Sequence, residues 1–312
     1  MKAVNWNKPN DFDKLLWDQN IRQFWVDTEI PLSDDKITWM QLSAAEKNVY
    51  KHVLGGLTLL DTQQGSVGMP RISMAVNNFH QKAVLSFMGT MEHMHAKSYS
   101  SIFSTLCTSQ EIDEIFNWVD TSPLLREKLN IILNRYNNIT DNDSLYIAMA
   151  CSVLLESFLF YSGFFYPLYL SGSGKLANSG EIINLIIRDE SIHGVYVGQL
   201  MKQLVVTPKV EAQVREIFNE LFKLEEEYTK SLYAPLGLEK KVINFVKYNA
   251  NKAFANMGLD IPFDDIKEAD IDPSVIKGLD TKTKTHDFFS TKGNGYVKST
   301  KVEKISEDDF NF

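Results

Sequence analysis

The chain has 312 residues, among them 16 glycines and 9 prolines. At about 8% together, against roughly 12% in average usage, they favour long uninterrupted elements over many short strands and turns. Forty acids against 32 lysines and arginines give a formal charge of -8, which excludes a nucleic-acid partner by bulk electrostatics. The only cysteines, Cys107 and Cys151, exclude a disulfide framework, a CxxC motif and a cysteine-rich zinc site.

No apolar leader follows Met1-Lys2, where the chain runs through Trp6, Asn7, Lys8 and Pro9; the expectation is a soluble, cytoplasmic protein. Residues 1–42 read as irregular, with Pro9, Pro31 and the aromatic pair Phe24-Trp25. Helical signals dominate from about residue 43 to 257. Ser43-Ala-Ala-Glu46 is a capping box opening a run with Val49, Val53, Leu54, Leu57 and Leu60 at helical spacing. Further helices are predicted over 75–105, 109–118, 123–136, 143–170, 179–204, 208–232 and 236–257. A second capping box, Thr108-Ser-Gln-Glu111, opens one of them, and Ser171-Gly-Ser-Gly174 is a loop. No β-branched alternation is long enough to build a sheet, so the fold class is all-α. Residues 1–280 form one domain, and 281–312 a flexible C-terminal tail. Its end, Glu307-Asp308-Asp309-Phe310-Asn311-Phe312, carries acids and two aromatics, a composition suited either to solvent or to docking in a partner's groove.

Residues 145–170 contain a single ionisable charge, Glu156, and are long enough for a membrane span. Glu156 at the centre, Gly163, Pro167 and three serines, with no flanking basic cluster, favour the central helix of a large bundle instead. No membrane partner is expected.

A carboxylate inside such a helix must be protonated, paired or metal-bound. Asp61, Glu92 and Glu190 lie in similarly apolar runs. Glu92-His-Met-His95 and Glu190-Ser-Ile-His193 repeat one motif, in which Glu and His three apart share a helix face and can ligate one ion or adjacent ions. Asp61 precedes the first pair and Glu156 the second, so each half supplies one carboxylate helix and one ExxH helix. That is the ligand set of di-iron and di-manganese carboxylate bundles, and it suits Fe or Mn better than structural zinc. Ordinary buried ion pairs are the rival reading, which the mutual spacing opposes. Tyr99, four after His95 and seven after Glu92, shares their face; spacing alone leaves it either a buried tyrosine or an oxidisable phenol beside the metals. His93 is rotated about 100° off that face and receives no metal role.

These residues sit in longer strings. Glu92-His-Met-His-Ala-Lys-Ser-Tyr99, Ser100-Ser-Ile-Phe103, Leu155-Glu-Ser-Phe-Leu-Phe-Tyr-Ser-Gly163 and Arg188-Asp-Glu-Ser-Ile-His-Gly194 resemble the small (beta, radical-generating) subunit of class I ribonucleotide reductase, most like class Ib. The resemblance implies a ferritin-like helical bundle with a dinuclear Mn or Fe centre held by Asp61, Glu92, His95, Glu156, Glu190 and His193. It implies a stable radical on Tyr99, with Phe160, Phe164 and Ile186 as its apolar cage. Asp189 resembles the carboxylate that partners His95, and Trp25, Asp189 and Tyr296 resemble the long-range electron and proton relay. Homodimerisation, docking of the C-terminal tail on a large catalytic subunit, and a flavodoxin-like activator are implied in the same way. Val195, where class Ib chains often carry an aromatic, is a mild departure that leaves the ligands untouched. Two rivals use the same ligands: a di-iron oxygenase or oxidase with its own substrate, and ferritin-like metal storage.

Overall fold

The computed structural model of the chain describes residues 3–7 and 12–279. Among them every regular element is helical, as the sparse glycine and proline lead one to expect. The helices are α1 (Phe12–Gln23), α2 (Lys36–Gln41), α3 (Ala44–Gln63), α4 (Met69–Ala75), α5 (Phe79–Leu106), α6 (Ser109–Thr121), α7 (Pro123–Asn137), α8 (Asn142–Leu154), α9 (Phe160–Gly172), α10 (Ala177–Met201), α11 (Val210–Tyr233), α12 (Glu239–Met257) and α13 (Pro273–Leu279). Four of these columns close a ring: α3 packs on α5, α5 on α10, α10 on α8 and α9, and α9 back on α3. Around this bundle, α1 covers α5 and α10, α7 and α11 lie against α8, and α13 lies along α9.

The helix starts follow from local chemistry. Ser43 and Glu46 make the reciprocal capping box that opens α3, Thr108 and Glu111 repeat it for α6, and the Asp141 side chain accepts from the Ser144 amide to open α8. Helix α10 has no local cap; it starts from Leu176, whose φ of 49° is left-handed. Asp35 supplies the cap from a distant turn, accepting from the amides of Asn178 at 3.1 Å and Ser179 at 2.7 Å.

Two of the ring columns are interrupted by single π-helical turns, Gln64–Gly68 between α3 and α4 and Leu155–Leu159 between α8 and α9. Such turns insert a residue and recur at functional sites. The α8–α9 column, Asn142–Gly172, is the one helix among the described residues long and apolar enough to cross a membrane, and 89% of its most apolar window is buried inside the fold. It is the central helix of the bundle.

The N-terminal segment differs from expectation. It contains the 12-residue helix α1, because the face α1 buries is Asp13, Leu16, Asn20 and Gln23. That face has helical spacing but is mostly polar, so apolar periodicity carries no trace of it.

Candidate metal centre

Asp61 stands in the last turn of α3, Glu92 and His95 midway along α5, Glu156 in the second π turn, and Glu190 and His193 midway along α10. All six side chains are fully buried. The three-residue spacing in α5 and α10 puts each Glu and His on one face, and the closed ring points the two faces at each other. His95 Nδ1 lies 2.9 Å from Glu190 Oε1, 3.3 Å from Asp61 Oδ1 and 3.6 Å from Glu92 Oε2. His193 Nδ1 lies 2.9 Å from Glu92 Oε1 and 3.5 Å from Glu190 Oε2.

Two overlapping donor sets result, Asp61–Glu92–His95–Glu190 and Glu92–Glu156–Glu190–His193, each with its ligand atoms within 4.8 Å of one another. Glu92 and Glu190 belong to both, which describes two adjacent cation positions sharing two carboxylates. The chemistry fits hard or borderline divalent cations. Both oxygens of Asp61, Glu92 and Glu190, Oε2 of Glu156 and Nδ1 of both histidines have no hydrogen-bond partner. Their lone pairs converge on common points. Four buried carboxylates face two imidazoles, and among the described residues no lysine or arginine pairs with them. Only bound cations balance that charge without several protons.

The electrostatics agree. Burial raises the carboxyls of Asp61 and Glu156 well above the usual range, with neighbouring carboxylates adding to it. Burial also acts to raise Glu92, but the imidazoles of His193 and His95 outweigh it and hold Glu92 down at about 2. Burial would lower both histidines; the facing carboxylates win and raise them.

The surrounding residues orient these side chains. Asp189 Oδ2 lies 3.2 Å from His95 Nε2 and accepts from Trp25 Nε1 at 2.7 Å, while Asp189 Oδ1 accepts from Gln23 Nε2 at 2.8 Å. A carboxylate on the outer nitrogen fixes the imidazole tautomer so that Nδ1 faces the site. The Trp25 ring is buried and lies nearly parallel to His95, 18° between planes and 6.1 Å between centroids. Tyr99 is fully buried, and its hydroxyl has no hydrogen-bond partner. Burial, then the fields of Asp61, Glu190 and Glu92, keep its phenol protonated far above the ordinary range.

Phe160, Phe164 and Ile186 are fully buried in the same core, with the two phenylalanine rings 5.7 Å apart. Glu156 sits inside the π turn Leu155–Leu159, so regular α spacing does not carry from it to these rings. Tyr296 and the tail beyond residue 279 lie outside the described residues. Both cysteines are free, and burial pushes the thiols up, Cys151 to about 12 and Cys107 to about 11.

Sequence reasoning misses three participants. Gln64, fully buried at the start of the first π turn, donates to Glu156 Oε1 at 2.5 Å and to Ser152 Oγ at 2.8 Å. Tyr136 on α7 donates to Gln64 Oε1 at 2.7 Å. Gln23 braces Asp189 from α1. No local signal marks them: Gln64 lies in the polar stretch Asp61-Thr-Gln-Gln-Gly-Ser66, and Tyr136 and Gln23 share no motif with the site.

The family model for "Ribonucleotide reductase, small chain" matches residues 3–270. The chain is 51% identical to the ribonucleoside-diphosphate reductase subunit beta of Bacillus subtilis over 99% of its length and 96% of that protein. It is 39% identical to the ribonucleoside-diphosphate reductase 2 subunit beta of Escherichia coli, covering 100% of this chain and 98% of that one. The crystal structure of dimanganese(II)-NrdF from Streptococcus sanguinis superposes with a TM-score of 0.83 at 46% identity, over 89% of this chain and 99% of that one.

Proposed function

The chain belongs to the ribonucleotide reductase small-chain family, and on that premise we propose that its buried carboxylate–histidine cluster holds two manganese or iron ions and serves to make a radical on Tyr99. It is the beta subunit of a ribonucleoside-diphosphate reductase, of the NrdF or class Ib kind. Such a subunit works with a large partner subunit, and as a dimer. Reading the chain as an oxygenase or a storage protein gains nothing from its relatives, which are named as reductase subunits.

The observation that carries the proposal is the pair of donor sets sharing Glu92 and Glu190. Asp61, Glu92, His95, Glu156, Glu190 and His193 are the ligands. Bound there, the metal pair supplies one-electron oxidising power, with an oxygen-derived oxidant as the final acceptor. The protein's own residues do the rest. Tyr99 gives up one electron and its phenolic proton, leaving a neutral phenoxyl radical. A carboxylate of the cluster takes the proton. Phe160, Phe164 and Ile186, all fully buried, keep water from the radical. The hydrogen-bonded line from His95 through Asp189 to Trp25 carries the oxidising equivalent outward, Tyr296 extends it, and a cysteine of the large subunit receives it. The acidic, aromatic end of the tail docks on that subunit, and a flavodoxin-like protein delivers the oxidant.

The test is reconstitution. Protein loaded with manganese or iron and mixed with the large subunit from the same cell reduces ribonucleoside diphosphates, and Tyr99→Phe abolishes turnover. Reduction that persists in the variant, or product formed without the large subunit, contradicts the reading.

A further inference from the structure

The two halves of the site are braced differently. In the first half the histidine is held: His95 Nε2 faces Asp189, while neither oxygen of Asp61 has a hydrogen-bond partner. In the second half the reverse holds. His193 Nε2 has no partner, and Glu156 is gripped at Oε1 by Gln64, leaving Oε2 free. Asp189 fits the ordinary pattern of a carboxylate behind a ligating imidazole. The Gln64 contact has no such general explanation.

Three features show that this grip is built. Tyr136 is buried, and its phenol, held protonated by burial, donates to Gln64 Oε1. A carboxamide that accepts at its oxygen must present its NH2 group on the other side, so the hydroxyl decides which end of Gln64 meets Glu156. Ser152, one turn before Glu156, accepts from the same NH2 group and leaves it little freedom to swing. Gly68 makes the space: a Cβ there would lie 2.2 Å from Gln64 Oε1 and 2.8 Å from a Tyr136 ring carbon. Gln64 and Gly68 are the first and last residues of one π turn, and Glu156 sits in the other. The irregular turns thus bring the amide and its carboxylate together.

We propose that Tyr136 and Gln64 are positioning residues which fix the orientation of Glu156 and so set the metal affinity of the position formed by Glu92, Glu156, Glu190 and His193, separately from the position formed by Asp61 and His95. This rests on the metal-centre reading above and deepens it. Held at one oxygen, Glu156 offers the other without first paying the entropy of being ordered. Once the grip is released, the carboxylate turns freely between rotamers, and only its own half of the site feels the change.

Stepwise titration of the metal-free protein with manganese(II) tests the proposal, with binding followed by calorimetry and by the EPR spectrum that distinguishes an isolated ion from a coupled pair. The parent takes up two ions per chain. Tyr136→Phe, which removes only the hydroxyl, is expected to weaken one of the two binding steps about tenfold, and Gln64→Leu about 10- to 100-fold, the range for residues behind metal ligands. The other step stays within threefold, and isolated-ion signal persists at one equivalent. Tyr136→Phe keeps the core filled, so the test survives if Gln64→Leu fails to fold. Two unchanged binding steps in Tyr136→Phe, or equal weakening of both, overturn the inference. A parent that binds no manganese instead overturns the metal-centre reading itself.

Discussion

Trp25 is held at a single atom: its indole nitrogen donates to the Asp189 oxygen that also faces His95. The line between Trp25 and the metal site runs through two hydrogen-bond contacts, Trp25 to Asp189 and Asp189 to His95, and one imidazole, all between buried residues. Trp25→Phe keeps an aromatic ring, smaller than the indole, and removes the donor. Expected is a protein that loads metal and forms its tyrosine-centred radical normally, while turnover with the large subunit falls at least about 100-fold, on the scale of residues acting as a unit. Comparing radical yield with turnover in one preparation measures this; parallel loss of both would place Trp25 in metal assembly instead. The six candidate carboxylate and histidine residues stood out in the sequence because polar side chains in apolar helices are costly and must have a use, whereas spacing alone left Tyr99 open. Tyr136 did not stand out, because a tyrosine at a core position of α7 looks like any other buried tyrosine until its hydroxyl partner is seen.

At the scale of elements, α13 shows how the described fold ends. It packs along α9 so closely that a Cβ on Gly278 would lie 2.1 Å from the Leu168 carbonyl oxygen, and only glycine permits that approach. Its start is set by Asp272, which accepts from the Ser274 amide at 2.8 Å and pairs with Lys241 at 2.9 Å. Burial acts to raise the Asp272 carboxyl; Lys241 and the Ser274 amide outweigh it and leave it lowered. The sign follows. A depressed carboxyl contributes stability that is present above its unfolded value near 3.9 and lost as pH falls through its lower folded value. Hydrogen exchange over residues 273–279, corrected for intrinsic rates, should therefore stay protected at pH 6 and loosen below about pH 4. Asp272→Ala, losing a cap of about 1 kcal/mol, should show the loosening at pH 6. Protection indifferent to both changes contradicts this role. The long helices were readable from period and capping boxes, whereas α1, with its polar buried face, and the two π turns were not. A π turn inserts one residue and leaves the apolar pattern on either side intact, so periodicity steps over it.

At the scale of the molecule, the acid excess divides into two populations. Most acids solvate the surface, but Asp61, Glu92, Glu156 and Glu190 are buried at the centre, where protons or bound cations must balance their charge. A second buried charge lies away from the site, where Lys128 on α7 and Glu225 on α11 pair at 2.5 Å, with the ammonium 3.7 Å over the Tyr228 ring. Burial lowers the Lys128 pKa against the opposing pull of Glu225. Breaking such a pair is worse than never having it: Lys128→Met alone is predicted to cost about 3–5 kcal/mol, while Lys128→Met with Glu225→Leu returns near the parent. Denaturant melts of the metal-free single and double variants check this, and a double variant as unstable as the single one contradicts it. Nothing in the sequence marked this pair, because two charges 97 residues apart share no local pattern.

On the function proposed above, the buried metal site serves to oxidise Tyr99. The most direct test is EPR of protein loaded with two metal ions per chain and treated with an oxygen-derived oxidant, compared with Tyr99→Phe and with protein made on ring-deuterated tyrosine. The expected result is an organic radical whose hyperfine pattern collapses on deuteration and which is absent from Tyr99→Phe at unchanged metal content. The same radical in Tyr99→Phe, or a signal indifferent to deuteration, would contradict that function.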